Sequence, residues 1–417
     1  MSTKIRRSTS LIACAALAAL VTVSACSSST TGSGSASQTG ASSSGSASGT
    51  ASGTPIVIGS MAPLSSSVYS VPNFPLAAQA AVDVINAAGG VNGHPLKFDF
   101  CDTKLAAAQE LSCTRNLISD HVVAAVDPLI VTDQSGSELK LFQQAGIPYF
   151  GGQGATPAEM QNPDSYPLTS GAVGWFYGMA KVLKAAGATK VAIYTNASSS
   201  GPFAAGLVSD ALQALGMTKV GTFTANLQSD PTLASSAAKV VASGANGVAL
   251  LPQNLPLMVQ ALNQAGFKGK LATIDVYAQA ALIKAMGSLA NGILLSALTA
   301  LPSDTSNPAV TQFRAAMAKY APGAAVDSTA LEVYAAVQLF AKVMATAKGT
   351  DAQAFTTALN NLSQPVNIGL IGPWAIRGRT PPLSEWPRIL NPIASFGIIK
   401  NGVVEPNPSS FTNPFTS

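Results

Sequence analysis

From Pro55 onward, short runs rich in β-branched residues alternate with amphipathic stretches of helical period. That beat restricts the fold more than any other feature, because strand–helix alternation buries its apolar faces as a largely parallel sheet flanked by helices. In the first half, strands are expected near 56–59, 96–101, 122–126 and 147–150, with helices near 76–88, 105–119 and 137–145 between them. Within 76–88, Leu76, Ala80, Val84 and Ala88 recur four apart, and Ala77, Ala81 and Ile85 broaden the stripe. Gly89-Gly90 supplies its C-cap and turn.

A second series begins after Ser170. Helices near 175–186, 203–215, 232–242 and 256–265 alternate with strands near 190–195, 219–223, 247–251 and 270–274. Gly187, Gly216, Gly244 and Gly266 each stand where a left-handed cap would stop a helix before the next strand. Two consecutive open sheets imply an α/β chain with two lobes. A strand near 293–298, helices near 309–320 and 328–347, and a proline-rich tail from Pro365 to Pro408 with a strand near 393–399 follow.

The first 54 residues contribute nothing to a core. Lys4, Arg6 and Arg7 precede an apolar run from Leu11 to Val23 and small residues at a cleavage position, the layout of a secretory signal peptide over 1–25. The apolar run of about 13 residues is short of the roughly 20 that a spanning helix needs. Val23-Ser24-Ala25-Cys26 resembles the lipobox of bacterial lipoproteins, which implies lipidation of Cys26 and anchoring to the outer face of the cytoplasmic membrane. Residues 27–54 are Ser, Thr, Gly or Ala except Gln38, so 26–54 is expected to be a lipidated cysteine and a flexible tether with a root-mean-square reach of roughly 30 Å. The formal charge of +4 falls to about +1 once the leader's three cations leave, and no basic run remains, which argues against a nucleic-acid partner. With Cys14 in the leader and Cys26 the anchor, Cys101 and Cys113 remain. In an exported chain they read as a disulfide, with two buried thiols the other reading.

Four stretches then look familiar. They are Pro55-Ile-Val-Ile-Gly-Ser-Met-Ala-Pro-Leu64, the segment AAVDVINAAGGVNGHPL from Ala80 to Leu96, Gly146-Ile-Pro with Gly154-Ala-Thr-Pro157, and the tail from Gly372 to the Asn-Gly turn at Gly402. In order and spacing they resemble the branched-chain-amino-acid type of substrate-binding protein, the type I periplasmic-binding fold. The resemblance implies two Rossmann-like lobes joined by a three-strand hinge. Lobe 1 would be 55–171 plus 298–394, and lobe 2 would be 172–297 plus 395–410. The crossovers would fall near Ser170-Gly171, Ser296-Ala297 and Ser395-Phe396. The function implied is capture of a small polar solute, an amino acid or related amide or carboxylate, by an ABC importer's binding lipoprotein that acts as a monomer and docks on the permease. No metal or cofactor is expected.

Ligands of open parallel sheets bind beyond the carboxyl ends of the strands, which selects the loops 62–71, 129–135, 151–156, 196–203, 252–255 and 275–277. The resemblance places Thr132 with Gly154 and Thr156 as a clamp for a ligand carboxylate. It places Tyr69 and Phe203 as aromatic residues of the two lobes and Asp275 as the counter-charge of a ligand ammonium. Gln253 and Tyr277 are neighbours. Asp133 departs from the family, which usually has a small neutral residue beside Thr132, and would repel a ligand carboxylate if it pointed inward. Three positions keep a second reading: Asp133 and Asp275 as helix N-caps, and Tyr69 as a surface aromatic. A sensor of the same fold, signalling to a membrane receptor, is the alternative within this class. Catalysis is disfavoured. His94 and His121 lack metal-ligand spacing, no Gly-x-Ser-x-Gly elbow occurs, and Gly151-Gly-Gln-Gly154 lacks the Lys-Ser/Thr of a phosphate loop.

Overall fold

The computed structural model describes residues 51–66, 69–130, 132–133, 135–198, 201–252, 254–407 and 411–416. Cys26 and the leader lie outside them. The first sheet is built from β1 (Ile56–Ala62), β2 (Leu96–Asp102), β3 (Ala124–Val126), β4 (Tyr149–Phe150) and β5 (Ser165–Tyr166). Its strands are all parallel, in the order β2-β1-β3-β4-β5. The connecting helices are α1 (Phe74–Ala87), α2 (Ala107–Ser119), α3 (Ser137–Gln144) and α4 (Pro157–Gln161).

The chain then crosses into α5 (Gly171–Ala185), β6 (Lys190–Asn196), α6 (Gly201–Ala214), β7 (Thr218–Ala225) and α7 (Ala234–Ala242). It continues through β8 (Gly247–Leu251), α8 (Leu255–Gln264), β9 (Lys270–Ile274), α9 (Ala280–Met286) and β10 (Leu294–Ala297). Three helices follow, α10 (Pro308–Tyr320), α11 (Ser328–Met344) and α12 (Ala352–Asn361), before β11 (Ser395–Lys400) and β12 (Val403–Pro406). The second sheet has the order β12-β11-β10-β9-β8-β6-β7, with β11 and β12 as its antiparallel members. β8 and β9 have the bounds that sequence assigned, whereas β5, β12, α4 and α12 were not foreseen.

Although α10–α12 follow the second series, they pack on the first sheet. Phe313, Leu331, Phe340 and Phe355 share one apolar cluster with Ile58, Val126, Phe150 and Trp374. α11 is its centrepiece, apolar nearly all round as a helix buried on every side must be, and started by Asp327, which accepts from the Ala330 amide. Each fully buried Leu, Ile or Phe stabilises by roughly 1.5–3 kcal/mol.

Two local outcomes differ from sequence expectation. The helix placed at 105–119 starts at Ala107, because Lys104 and Leu105 are left-handed, with φ of 54° and 55°. The segment read as tether through 54 is folded at its end. The Ser52 and Gly53 amides donate to the Gly93 carbonyl at 3.1 and 3.0 Å, and His94 Nδ1 lies 2.8 Å from the Thr54 carbonyl. The ordered body therefore begins by residue 51.

Cys101 on β2 and Cys113 on α2 form a disulfide with Cα atoms 5.5 Å apart, tying the helix to its strand. For a separation of 12 residues, loop-closure entropy gives the crosslink a stabilising effect of about 3 kcal/mol. A Cys101→Ser/Cys113→Ser variant is expected to lose about that much in guanidinium unfolding. A midpoint unchanged from wild type would show that the closed loop contributes nothing.

Candidate functional site

The strand orders locate a ligand crevice before any side chain is considered. In each sheet the connections reverse direction once, between β1 and β3 in the first and between β6 and β8 in the second. Crevices open at such switch points, past the carboxyl ends of the strands. A cavity of about 530 Å³ lies there, in the size range of small-molecule sites. The loops of the first sheet supply Tyr69, Leu105, Thr132, Gln153 and Ala155; the second sheet and α5 supply Trp175, Phe176, Asn196, Phe203, Leu251, Val276 and Tyr277. No lysine, arginine or histidine is among the described lining residues.

Of the residues named from sequence, Tyr69, Thr132, Phe203 and Tyr277 line the cavity. Asp275 sits behind it, between the lining residues Ile274 and Val276, while Gly154 and Thr156 flank Ala155 without lining it themselves. Gln253 lies outside the described residues. Asp133 turns away. Its carboxylate accepts from the Ser135 amide at 2.8 Å and from the Ser137 and Glu138 amides that open α3. Hydrogen bonds from the Glu138 side chain, from the Ser135 side chain and amide, and from the Ser137 hydroxyl hold it below the ordinary carboxylate range despite partial burial. Asp133 is thus a helix cap rather than a cleft carboxylate.

The donors read as a carboxylate clamp are already engaged. The Thr132 hydroxyl donates to Glu110 on α2, and the Thr132 amide lies 3.3 Å from each Glu110 carboxylate oxygen. Thr156 forms a reciprocal capping box with Glu159. The Thr156 amide donates to Glu159 Oε2 at 3.0 Å, the Glu159 amide donates to Thr156 Oγ1 at 3.3 Å, and the Gly154 amide also donates to that carboxylate. Glu110 and Glu159 are both buried. Burial raises the Glu159 carboxyl above its ordinary value, against hydrogen bonds from Tyr149 and these amides.

A second acidic pair joins the two sheets. Asp275 follows β9, is 6% exposed, and accepts from Trp175 Nε1 on α5 at 3.0 Å and from the Ser328 hydroxyl at the start of α11. Burial pushes its carboxyl up to about 6. Glu332, one turn along α11 and 3% exposed, accepts from Gln153 Nε2 at 3.0 Å through Oε2, while Oε1 has no hydrogen-bond partner. Burial first, then the charges of Asp275 and Glu159, push Glu332 up to about 8. Tyr69 is hydrogen-bonded to Thr329, and burial with Tyr277, Glu332 and Asp327 nearby raises its hydroxyl. Asp275 is therefore an inter-sheet contact, not a helix N-cap.

Sequence reasoning missed Leu105, Trp175, Phe176 and Glu332, and did not single out Gln153 and Asn196 within the loops it selected. The clearest available signal was Glu332, the one acid of α11, set between apolar residues and buried with them. Trp175-Phe176-Tyr177 was legible as a helix but not as a cavity wall. Phe203 gained an unforeseen partner, since its ring meets Trp386 of the proline-rich tail edge-on at 5.9 Å.

No curated protein matches the chain. Solved structures do. A possible leucine/isoleucine/valine-binding protein from Rhodopirellula baltica SH 1 superposes with a TM-score of 0.73 at 18% identity, covering 85% of this chain and 96% of its own. An ABC transporter substrate-binding protein from Desulfitobacterium hafniense, in complex with Leu, gives 0.66 at 18% identity over 85% and 100%. A fatty acid ABC transporter substrate-binding protein from Thermomonospora curvata gives 0.70 at 16% identity over 85% and 92%. These likenesses establish the fold. The family model for periplasmic binding proteins matches residues 55–384, and the chain belongs to that family.

Proposed function

We propose that this chain is the solute-binding lipoprotein of an ABC importer, which encloses a small organic solute between two lobes and presents the closed form to a membrane permease. The observation that carries this is the cavity at the carboxyl ends of both sheets, lined from both sides and bridged by the Asp275–Ser328 hydrogen bond. Lobe 1 takes residues 55–171 and 298–394, lobe 2 takes 172–297 and 395–410, and Ser170-Gly171, Ser296-Ala297 and Ser395-Phe396 form the hinge. Ligand drives closure because the closed state touches it from both lobes and the open state from one. The names of the Rhodopirellula, Desulfitobacterium and Thermomonospora proteins support import of an amphipathic solute. No described helix is long and apolar enough to cross a membrane, and lipid on Cys26 supplies the attachment.

The test is thermal-shift screening of the purified protein against amino acids, amides, fatty acids, sugars and amines, with Ala204→Trp as control. Ala204 lines the cavity from α6 and is half-buried, so an indole there fills the cleft without entering the core. One compound class is expected to raise the melting temperature of wild type, by an amount set by its saturation, and to leave Ala204→Trp unmoved. Equal shifts in both proteins would place binding elsewhere and sink the reading. Mass spectrometry of the membrane-extracted protein is expected to find a diacylated cysteine as residue one of the mature chain.

A further inference from the structure

The cleft is poorly equipped for a solute with a carboxylate. An anion is held by donors with no other partner, and here the Thr132 hydroxyl and amide serve Glu110, while the Gly154 and Thr156 amides serve Glu159. The chain's own carboxylates, neither of which lines the cavity, take up the donors that a ligand's would need. An entering carboxylate would find these donors saturated and two fixed acids beside them.

The rest of the site calls for the opposite charge. Asp275 and Glu332 stand behind the lining residues Ile274, Val276 and Gln153, and both are more than nine-tenths buried. Neither has an ion-pair partner among the described residues, and Glu332 Oε1 lacks a hydrogen-bond partner. Among the described residues no three acids, cysteines or histidines have metal-holding geometry. The cavity wall carries five aromatic residues, Tyr69, Trp175, Phe176, Phe203 and Tyr277, whose faces attract organic cations. From the saturated clamp, the aromatic wall and the unmatched acids, we infer that the cleft takes a small alkyl- or arylammonium compound that lacks a carboxylate, with Asp275 and Glu332 as its counter-charges. This rests on the cleft being the solute site. An ammonium entering beside a protonated acid displaces the acid's proton to solvent, so binding is coupled to proton release.

The test is isothermal titration of the purified protein at pH 7 with matched probes. One series is 3-methylbutylamine, leucine, 4-methylpentanoate and 4-methylpentanamide; the other is 2-phenylethylamine, phenylalanine and 3-phenylpropanoate. The amines are expected to bind at least tenfold more tightly than their partners, with proton release visible as a dependence of heat on buffer ionisation. Glu332→Gln is expected to weaken the amines at least tenfold while the unliganded protein melts no lower. Glu110→Gln is expected to gain affinity for the carboxylates, a result that misfolding cannot mimic. A zwitterion, acid or amide binding as tightly as its amine overturns the inference, and so does the binding of no probe at all. None of these touches the solute-site reading, which is decided separately by the shift that Ala204→Trp abolishes. The wild-type ranking alone is decisive if a variant does not fold.

Discussion

Glu332→Gln is expected to raise the melting temperature of the unliganded protein at pH 8 and to flatten its loss of stability between pH 5 and 8. Glu332 projects from α11 into a buried neighbourhood that also holds Asp275 after β9, Glu159 on α4 and Tyr69 from the loop after β1, with Gln153 Nε2 its hydrogen-bond donor. Its carboxyl titrates at about 8 and that of Asp275 at about 6, against unfolded values of about 4.3 and 3.9. Both folded values are raised, so the folded state holds protons that the unfolded state has released. The stability they contribute is fully present below about pH 4 and is lost as pH rises through 6 and then 8. At 1.36 kcal/mol per pKa unit the Glu332 contribution is on the order of 5 kcal/mol, shared with the buried Asp127, whose carboxyl is raised by burial and by the Glu332 and Glu159 charges. Glutamine keeps the shape and an oxygen for Gln153 but cannot ionise. Scanning calorimetry across pH 5–9 should show the variant melting about 3–6 °C higher at pH 8 and no differently at pH 5. Parallel profiles for the two proteins would show that Glu332 does not ionise in this range.

The same pair bears on closure, because Asp275 belongs to the second sheet and Glu332 to a helix packed on the first. When both ionise, like charges face each other across the seam that Asp275 and Ser328 hold shut. Under the closure proposed above, alkaline pH would act against the contact between the two sheets, and a cation bound beside the acids would oppose it.

How far the sequence disclosed this depends on the distance between partners. β8 and β9 were placed to the residue, because Gly244 and Gly266, with φ of 72° and 84°, mark the helix ends before them. β4 and β5, two residues each, carry no period and exist through their neighbours. α12 was missed, although Asp351 accepting from the Ala354 amide is a cap that sequence displays. In the site, the aromatic residues Tyr69, Phe203 and Tyr277 were found because they follow strand ends closely, Phe203 in the first turn of α6, and because the family resemblance points to Tyr69 and Phe203. Glu332 was not, because its meaning depends on Gln153, 179 residues away. Glu110 reads as a polar face of α2 until β3's loop brings Thr132 to it. The choice between disulfide and free thiols at Cys101 and Cys113 was likewise settled only by the separation of β2 and α2.

Gly171→Ala is expected to be strongly destabilising for one added carbon. Gly171 opens α5 at the crossover between the sheets, with φ of 60°, and packs against Gly154, whose φ is 69°. A Cβ on Gly171 would stand 2.3 Å from the Gly154 carbonyl oxygen and 2.9 Å from its Cα, and both obstacles are backbone. That carbonyl accepts from the Ala172 amide at 2.9 Å, so it cannot rotate away without losing the bond that joins the loop after β4 to the helix. A left-handed alanine alone costs about 1–2 kcal/mol, and the clash and displaced hydrogen bond bring the total to about 3 kcal/mol. Gly187→Ala is the matched control. Its φ is 85°, but nothing lies within 4 Å of its Cβ, so it bears only the backbone cost. Denaturant midpoints should fall for both variants, and further for Gly171→Ala by about 1–2 kcal/mol. Ligand affinity should fall only in Gly171→Ala, since Gln153 and Ala155, on either side of Gly154, line the cavity. Equal losses in the two variants would mean that the Gly154–Gly171 contact yields at no cost and does not fix the loop against the helix.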